Sequence, residues 1–143
     1  MHMRRLALLA VLGLLSACAQ TSAQSQPPQV AASCAAPLKP ALALNLYFGR
    51  DKPGGMVSEA EWATFVAQEV TPRFPDGLSV INVAGQSRGA SGSVERERTK
   101  LLIIVVFDAP AHQPKVVAII DAYNRRFAQN SVFRTEHAVC AGL

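Results

Sequence analysis

The run from Glu95 to Phe107 constrains the fold more than any other part of the chain. Its first half, Glu-Arg-Glu-Arg-Thr-Lys, alternates in charge sign. Its second half, Leu101 to Phe107, is seven apolar residues without a break. An unbroken apolar run rich in Ile and Val is the pattern of a strand covered on both faces. Parity divides the run. Glu95, Glu97, Leu101, Ile103, Val105 and Phe107 share one side, and Arg96, Arg98, Lys100, Leu102, Ile104 and Val106 share the other. The sequence predicts this as the central strand of one domain. One of its faces meets helices, and the sequence alone leaves open which.

The remaining strands and helices follow from periodicity. Leu42, Leu44, Leu46 and Phe48 alternate with smaller or polar residues, which predicts a half-buried first strand. Gly49 to Gly55 reads as a loop. Ser58 and Glu61 have capping-box spacing, and Trp62, Phe65, Val66 and Val70 fall on one helical face. Pro72 stops that helix, because the residue before a proline is pushed out of the helical region. Pro75-Asp76-Gly77 is a turn. Leu78 to Val83 reads as the second strand and Gly85 to Ser93 as a generous hairpin loop. Pro114 suits the first turn of a second helix. That helix has a stripe of Val116, Ile119, Ile120, Tyr123 and Phe127, with Arg125 and Arg126 in its last turn and Asn130 at its end. Val132 to Val139 is the fourth strand. The order βαββαβ predicts an α+β, ferredoxin-like sandwich: a four-stranded antiparallel sheet with two helices on one face.

The N-terminal part carries an address. Arg4 and Arg5 precede a short apolar stretch, Leu6 to Leu15. This has the form of a secretory signal and is about half the length that crosses a bilayer. Leu15-Ser16-Ala17-Cys18 is similar to a bacterial lipobox, which implies a signal peptide over 1–17 and lipidation of Cys18. An ordinary signal with a small-residue cleavage site is the alternative. Several acyl chains on one residue give stable anchoring. Ala19 after the cysteine favours the outer membrane, facing the periplasm; secretion or a soluble periplasmic form is the alternative. Residues 18–40 are rich in Ala, Gln, Ser and Pro and read as a flexible tether, leaving 41–143 as the domain.

The whole chain carries a formal +4, of which Arg4 and Arg5 supply two charges. No basic cluster interleaves with aromatics, so no nucleic-acid partner is expected. In an exported chain Cys34 and Cys140 are expected to form a disulfide. In the expected topology the end of the fourth strand lies beside the start of the first, which brings these two cysteines together.

Three stretches carry a family resemblance: Leu46-Tyr47-Phe48-Gly49-Arg50, Val57 to Trp62, and Glu69 to Leu78. With Gly85-Gln86, Glu97-Arg98, Lys100 to Ile104, Tyr123 and Phe127, the chain from Leu44 to Cys140 resembles the bacterial family DUF3574. The resemblance implies a small exported domain and carries over no catalytic residue.

No metal or cofactor is expected. His112 and His137 have no ligand spacing between them, and no phosphate loop or nucleophile elbow is present. The candidate polar site is Arg50, Glu69, Arg73, Glu97 and Arg98, an arginine set at strand ends suited to a carboxylate or phosphate. Ion pairs that fix the turn are the competing reading. Tyr47, Tyr123 and His137 are candidate pocket residues, and core packing competes for the two tyrosines. Arg96, Arg98 and Lys100 offer an anion-binding row. One sheet face is expected to stay uncovered and apolar, which points to a homodimer through the sheet; cover by the Pro-rich residues before Leu42, or by a partner protein, is the competing explanation. The leading function is a non-catalytic binding or assembly module of the cell envelope. The alternative is a small cofactor-free enzyme of the dimeric α/β-barrel type, a monooxygenase or isomerase, with a pocket between sheets. Its small-molecule ligand is not specified by the sequence.

Overall fold

In a computed structural model of the protein, the described residues are 33–89 and 91–142. The stretches read as signal peptide and tether, with Cys18, lie outside them up to residue 32. Four long strands form one antiparallel sheet: β1 (Lys39–Gly49), β4 (Ser79–Arg88), β5 (Val94–Val106) and β6 (Phe133–Ala141), in the order β4-β5-β1-β6. Two helices, α1 (Glu59–Phe65) and α2 (Gln113–Phe127), complete the α+β ferredoxin-like order. Between β1 and α1 the chain makes a two-rung ribbon of β2 (Asp51–Lys52) and β3 (Gly55–Met56), a segment the sequence presents as loop.

The central pair forms as the apolar patterns require. Leu44, Leu46 and Phe48 of β1 are opposite Ile104, Leu102 and Lys100 of β5. These side chains meet the helices, so the even-numbered side of β5 is the covered one. Trp62 and Phe65 of α1 and Val116, Ile119, Tyr123 and Phe127 of α2 pack against them in one buried core. Burial of such side chains is worth roughly 1.5–3 kcal/mol each. The Phe48 ring contacts Trp62, Phe65 and Tyr123 at centroid distances of 5.2, 5.9 and 4.7 Å. The whole core and the disulfide lie within residues 34–140.

The capping box forms. Ser58 Oγ accepts from the Glu61 amide at 3.2 Å, and Glu61 Oε2 accepts from the Ser58 amide at 2.8 Å. The helix continues as a π-helical turn, Val66–Val70, which brings Val70 into the core before Pro72 ends it.

Four of the differences from the expected boundaries have a structural cause. β1 starts before Ala41, because Lys39 and Pro40 pair with Ala141 and Cys140. That pairing also closes the Cys34–Cys140 disulfide, with a Cα separation of 5.5 Å, and β6 extends to Ala141. The hairpin loop is shorter than Gly85–Ser93. β4 runs on to Arg88 because β5 supplies a ladder partner at each position, Gly85 opposite Glu97 and Arg88 opposite Val94. Finally, α2 ends at Phe127, capped by Ala128, rather than at Asn130. Ala128 adopts a left-handed conformation (φ 53°) and its amide closes onto the Asn124 carbonyl.

Candidate functional site

The surfaces able to bind something are set by the two sides of the sheet. On the helix side, where β1 ends, two buried cations share one carboxylate. Arg50 Nη1 donates to Glu59 Oε1 at 2.8 Å, and Lys100 Nζ donates to Glu59 Oε2 at 2.7 Å. Lys100 also donates to Asn82 Oδ1 at 2.6 Å, and Arg50 Nε to the Val57 carbonyl at 2.9 Å. The hydrogen bond from Lys100, helped by the charge of Arg50, holds the Glu59 carboxyl below its ordinary range. Glu59 opens α1, where negative charge is favoured. Lys100 is buried because it shares the side of β5 that carries Leu102. Its donors are committed to Glu59 and Asn82, which takes it out of the anion-binding row with Arg96 and Arg98, both exposed.

The five residues of the expected polar site do not converge. Arg50 is buried in the network just described. Glu69 and Arg73 form a separate helical pair one turn apart at 3.0 Å, and Arg73 also donates to the Glu69 carbonyl. Arg98 is exposed on the helix side, touching Arg50 only through backbone. Glu97 points to the opposite side, its carboxylate lying against Gly49 and accepting the Asp51 amide. Burial, and then the negative charge of Asp51, raise the Glu97 carboxyl above its ordinary range.

The expected pocket residues are divided in the same way. Tyr123 is fully buried on the helix side, where its hydroxyl donates to the Gly49 carbonyl at 2.7 Å, and burial pushes its phenol up. Tyr47 lies on the opposite side, its ring 5.4 Å from that of Phe133. His137 is on that side too, exposed, 3.1 Å from Thr135 Oγ1. His112 is buried where the chain enters α2, facing Gln113 and Glu136. Among the described residues no group of three or more His, Cys, Asp or Glu is placed to hold a metal ion.

The side of the sheet away from the helices is the distinctive surface. The register puts Ile81, Leu101, Tyr47 and Phe133 on one rung across all four strands. Ile103 and Val105 extend this rung along β5, and Phe107 follows the strand. Phe133 is 66 % exposed, Phe107 61 % and Ile81 47 %. Neither described helix covers this face. At its far end, near Cys140, a cleft of about 720 Å³ opens between the Arg73–Ser79 turn and the end of β5, with Phe74, Leu78, Val105 and Phe107 in its wall. Its cations are already neutralised, Arg73 by Glu69 and Lys115 by Asp108 at 3.5 Å. Sequence parity assembles the two possible faces, but only the packing of α1 and α2 shows which is bare. The Glu59–Lys100–Asn82 link was not legible, because Lys100 closes an alternating charged run that reads as solvated.

The geometry is that of a ferredoxin-like α+β domain with one sheet face that no described helix covers. A family model described as "Protein of unknown function (DUF3574)" matches residues 43–142, and the chain belongs to that family. No curated protein matches the chain. Among solved structures it is similar to a phage SAM lyase in complex with S-methyl-5′-thioadenosine, at 16 % identity over 71 % of this chain and 90 % of that one, TM-score 0.53. The apo form of a phage SAM lyase matches at 14 % identity over the same shares, TM-score 0.50. CutA1 from Oryza sativa matches at 9 % identity over 74 % of this chain and 85 % of that one, TM-score 0.48. At 16 % and 14 % identity the likeness to the phage SAM lyase is one of fold. The disulfide belongs to an oxidising, exported setting, and no described helix is long and apolar enough to cross a membrane.

Proposed function

We propose that the protein is a non-catalytic binding and assembly domain of the bacterial cell envelope. It is anchored by lipid on Cys18, at the outer membrane facing the periplasm, and associates with a second copy through the bare face of the sheet. The observation that carries this reading is the apolar rung Ile81–Leu101–Tyr47–Phe133 with its extension along β5. An exposed apolar patch of this kind marks an interaction site. The enzyme reading needs polar groups converging on a cavity between two sheets. Arg50 and Tyr123 are turned into the helix side, which leaves Tyr47 and His137 as the polar groups named for that role on the bare face. The phage SAM lyase lends the fold and no residue to this chain. Native mass spectrometry of the chain from Cys18 onward, carrying Cys18→Ser, tests the reading. A dimer mass without a retained small molecule supports it. A dimer carrying a stoichiometric organic ligand favours the enzyme instead, and a monomer overturns the association.

A further inference from the structure

The alternating charges of β5 discriminate between two ways of adding a second copy. Past Gly49 the ladder with β1 ends after one further backbone bond, from Arg50 to the Arg98 carbonyl, while β5 keeps β4 as a neighbour as far as the Arg88–Val94 rung. A second copy joining that edge antiparallel, about a two-fold axis, would set residues of the same parity opposite one another. Glu95 would face Glu95 or Glu97, and Arg96 would face Arg96 or Arg98. Like charges directly opposite are destabilising, and charged edges resist edge association. Pairing of a second copy along this charged stretch of β5 is thereby disfavoured.

On the bare face, charge is separated along the strand direction. Glu95 and Glu97 stand at one end and Lys39 at the other. Among the described residues none of the three has an ion pair, and Lys39 and Glu95 are exposed. Glu97 lies six positions before Ile103, and Lys39 lies six before Asn45, the residue opposite Ile103. Both charges are therefore roughly 20 Å from the Asn45–Ile103 rung, in opposite directions.

We propose that the second copy packs on this face with its strands antiparallel to those of the first, the two-fold axis passing by the Asn45–Ile103 rung. Glu95 and Glu97 of each protomer then meet Lys39 of the partner subunit, and the apolar rungs stack between these charged ends. The other symmetric arrangement, with strands parallel, brings the Glu95–Glu97 pairs of both copies together with no cation between them. This inference rests on the association proposed above and adds its orientation.

Two measurements on the chain from Cys18 onward, carrying Cys18→Ser, decide it. The first is the electron spin–spin distance between labels at Val94→Cys. Antiparallel packing places the labels roughly 60 Å apart, because each lies nine residues from the axis. Labels separated by little more than the ~10 Å between stacked sheets overturn the orientation while leaving the dimer in place. The absence of any coupling, with a monomer mass, overturns both the orientation and the association. The second measurement is charge exchange at two exposed positions. Glu95→Lys alone and Lys39→Glu alone each weaken dimerisation about tenfold at low salt. The two together restore it. Failure of the pair to restore affinity, with circular dichroism unchanged, overturns the proposal.

Discussion

The carboxylate of Glu97 occupies the space that a side chain at Gly49 would need. A β-carbon built on Gly49 would overlap Glu97 Oε1, and that carboxylate accepts the Asp51 amide as the chain leaves β1. Gly49→Ala therefore has to displace the acid. The obstructing atoms are the far end of a flexible side chain, so we expect a loss of about 1 kcal/mol, from the Asp51 amide left without its acceptor. In a Glu97→Ala background the same change should cost much less. Urea unfolding of the four variants of this cycle measures the coupling. Equal costs in both backgrounds would contradict the close approach.

The shared carboxylate Glu59 makes Lys100 a structural cation. Lys100→Met removes the partner of one Glu59 oxygen and of Asn82 Oδ1. Arg98→Met, two residues earlier on the same side of β5, alters an exposed residue. Thermal melting should show a fall of about 5 °C or more for the first and almost none for the second. The reverse ranking would mean that the basic row serves a surface role after all.

Acid should dismantle the α1 cap. The hydrogen bond from Lys52, followed by those from Ser58, lowers the Glu61 carboxyl from its ordinary value of 4.5 to about 2. A depressed folded-state value contributes stability above the unfolded value, and that contribution is lost as pH falls through the folded one. Glu61→Gln should therefore be less stable than the parent at neutral pH. The gap should close between pH 4.5 and about 2. Denaturation midpoints recorded across that range check it; a gap independent of pH would not fit.

The disulfide closes 106 residues of sequence. In the chain-entropy model a loop of that size contributes about 4–5 kcal/mol. Replacing Cys34 and Cys140 together with Ser should lower the unfolding free energy by roughly that amount. Chemical denaturation with and without reductant gives the same comparison.

Much of this fold was legible from residue patterns, for reasons that also explain the misses. The β1 alternation, the Ser58–Glu61 box and the apolar half of β5 are local signals that tertiary packing reinforces. The expected topology placed Cys34 beside Cys140, and the β1–β6 register brings them together. The glycines and serines after Val83 concealed the length of the hairpin, because strand pairing with a charged partner overrode their turn preference. Ala128 in a left-handed conformation leaves no trace in composition, since alanine rarely stops a helix that way. The candidate site was less legible. Arg50, Glu97 and Arg98 are neighbours on the ladder, yet the pleat sends Glu97 to the face opposite Arg98, so residues adjacent in sequence end on different surfaces. Lys100 showed its burial only through parity with Leu102, a cue that the flanking charges outweighed.

The most direct test of the central claim is light scattering of the chain from Cys18 onward, carrying Cys18→Ser, across a wide concentration range, beside the same chain with Ile103→Lys. Ile103 lies on the bare face opposite Asn45, away from the buried core. We expect a dimer mass for the parent and a folded monomer for Ile103→Lys, with matching circular dichroism. A parent that stays monomeric at the highest concentration, indistinguishable from the variant, would contradict association through the bare face of the sheet.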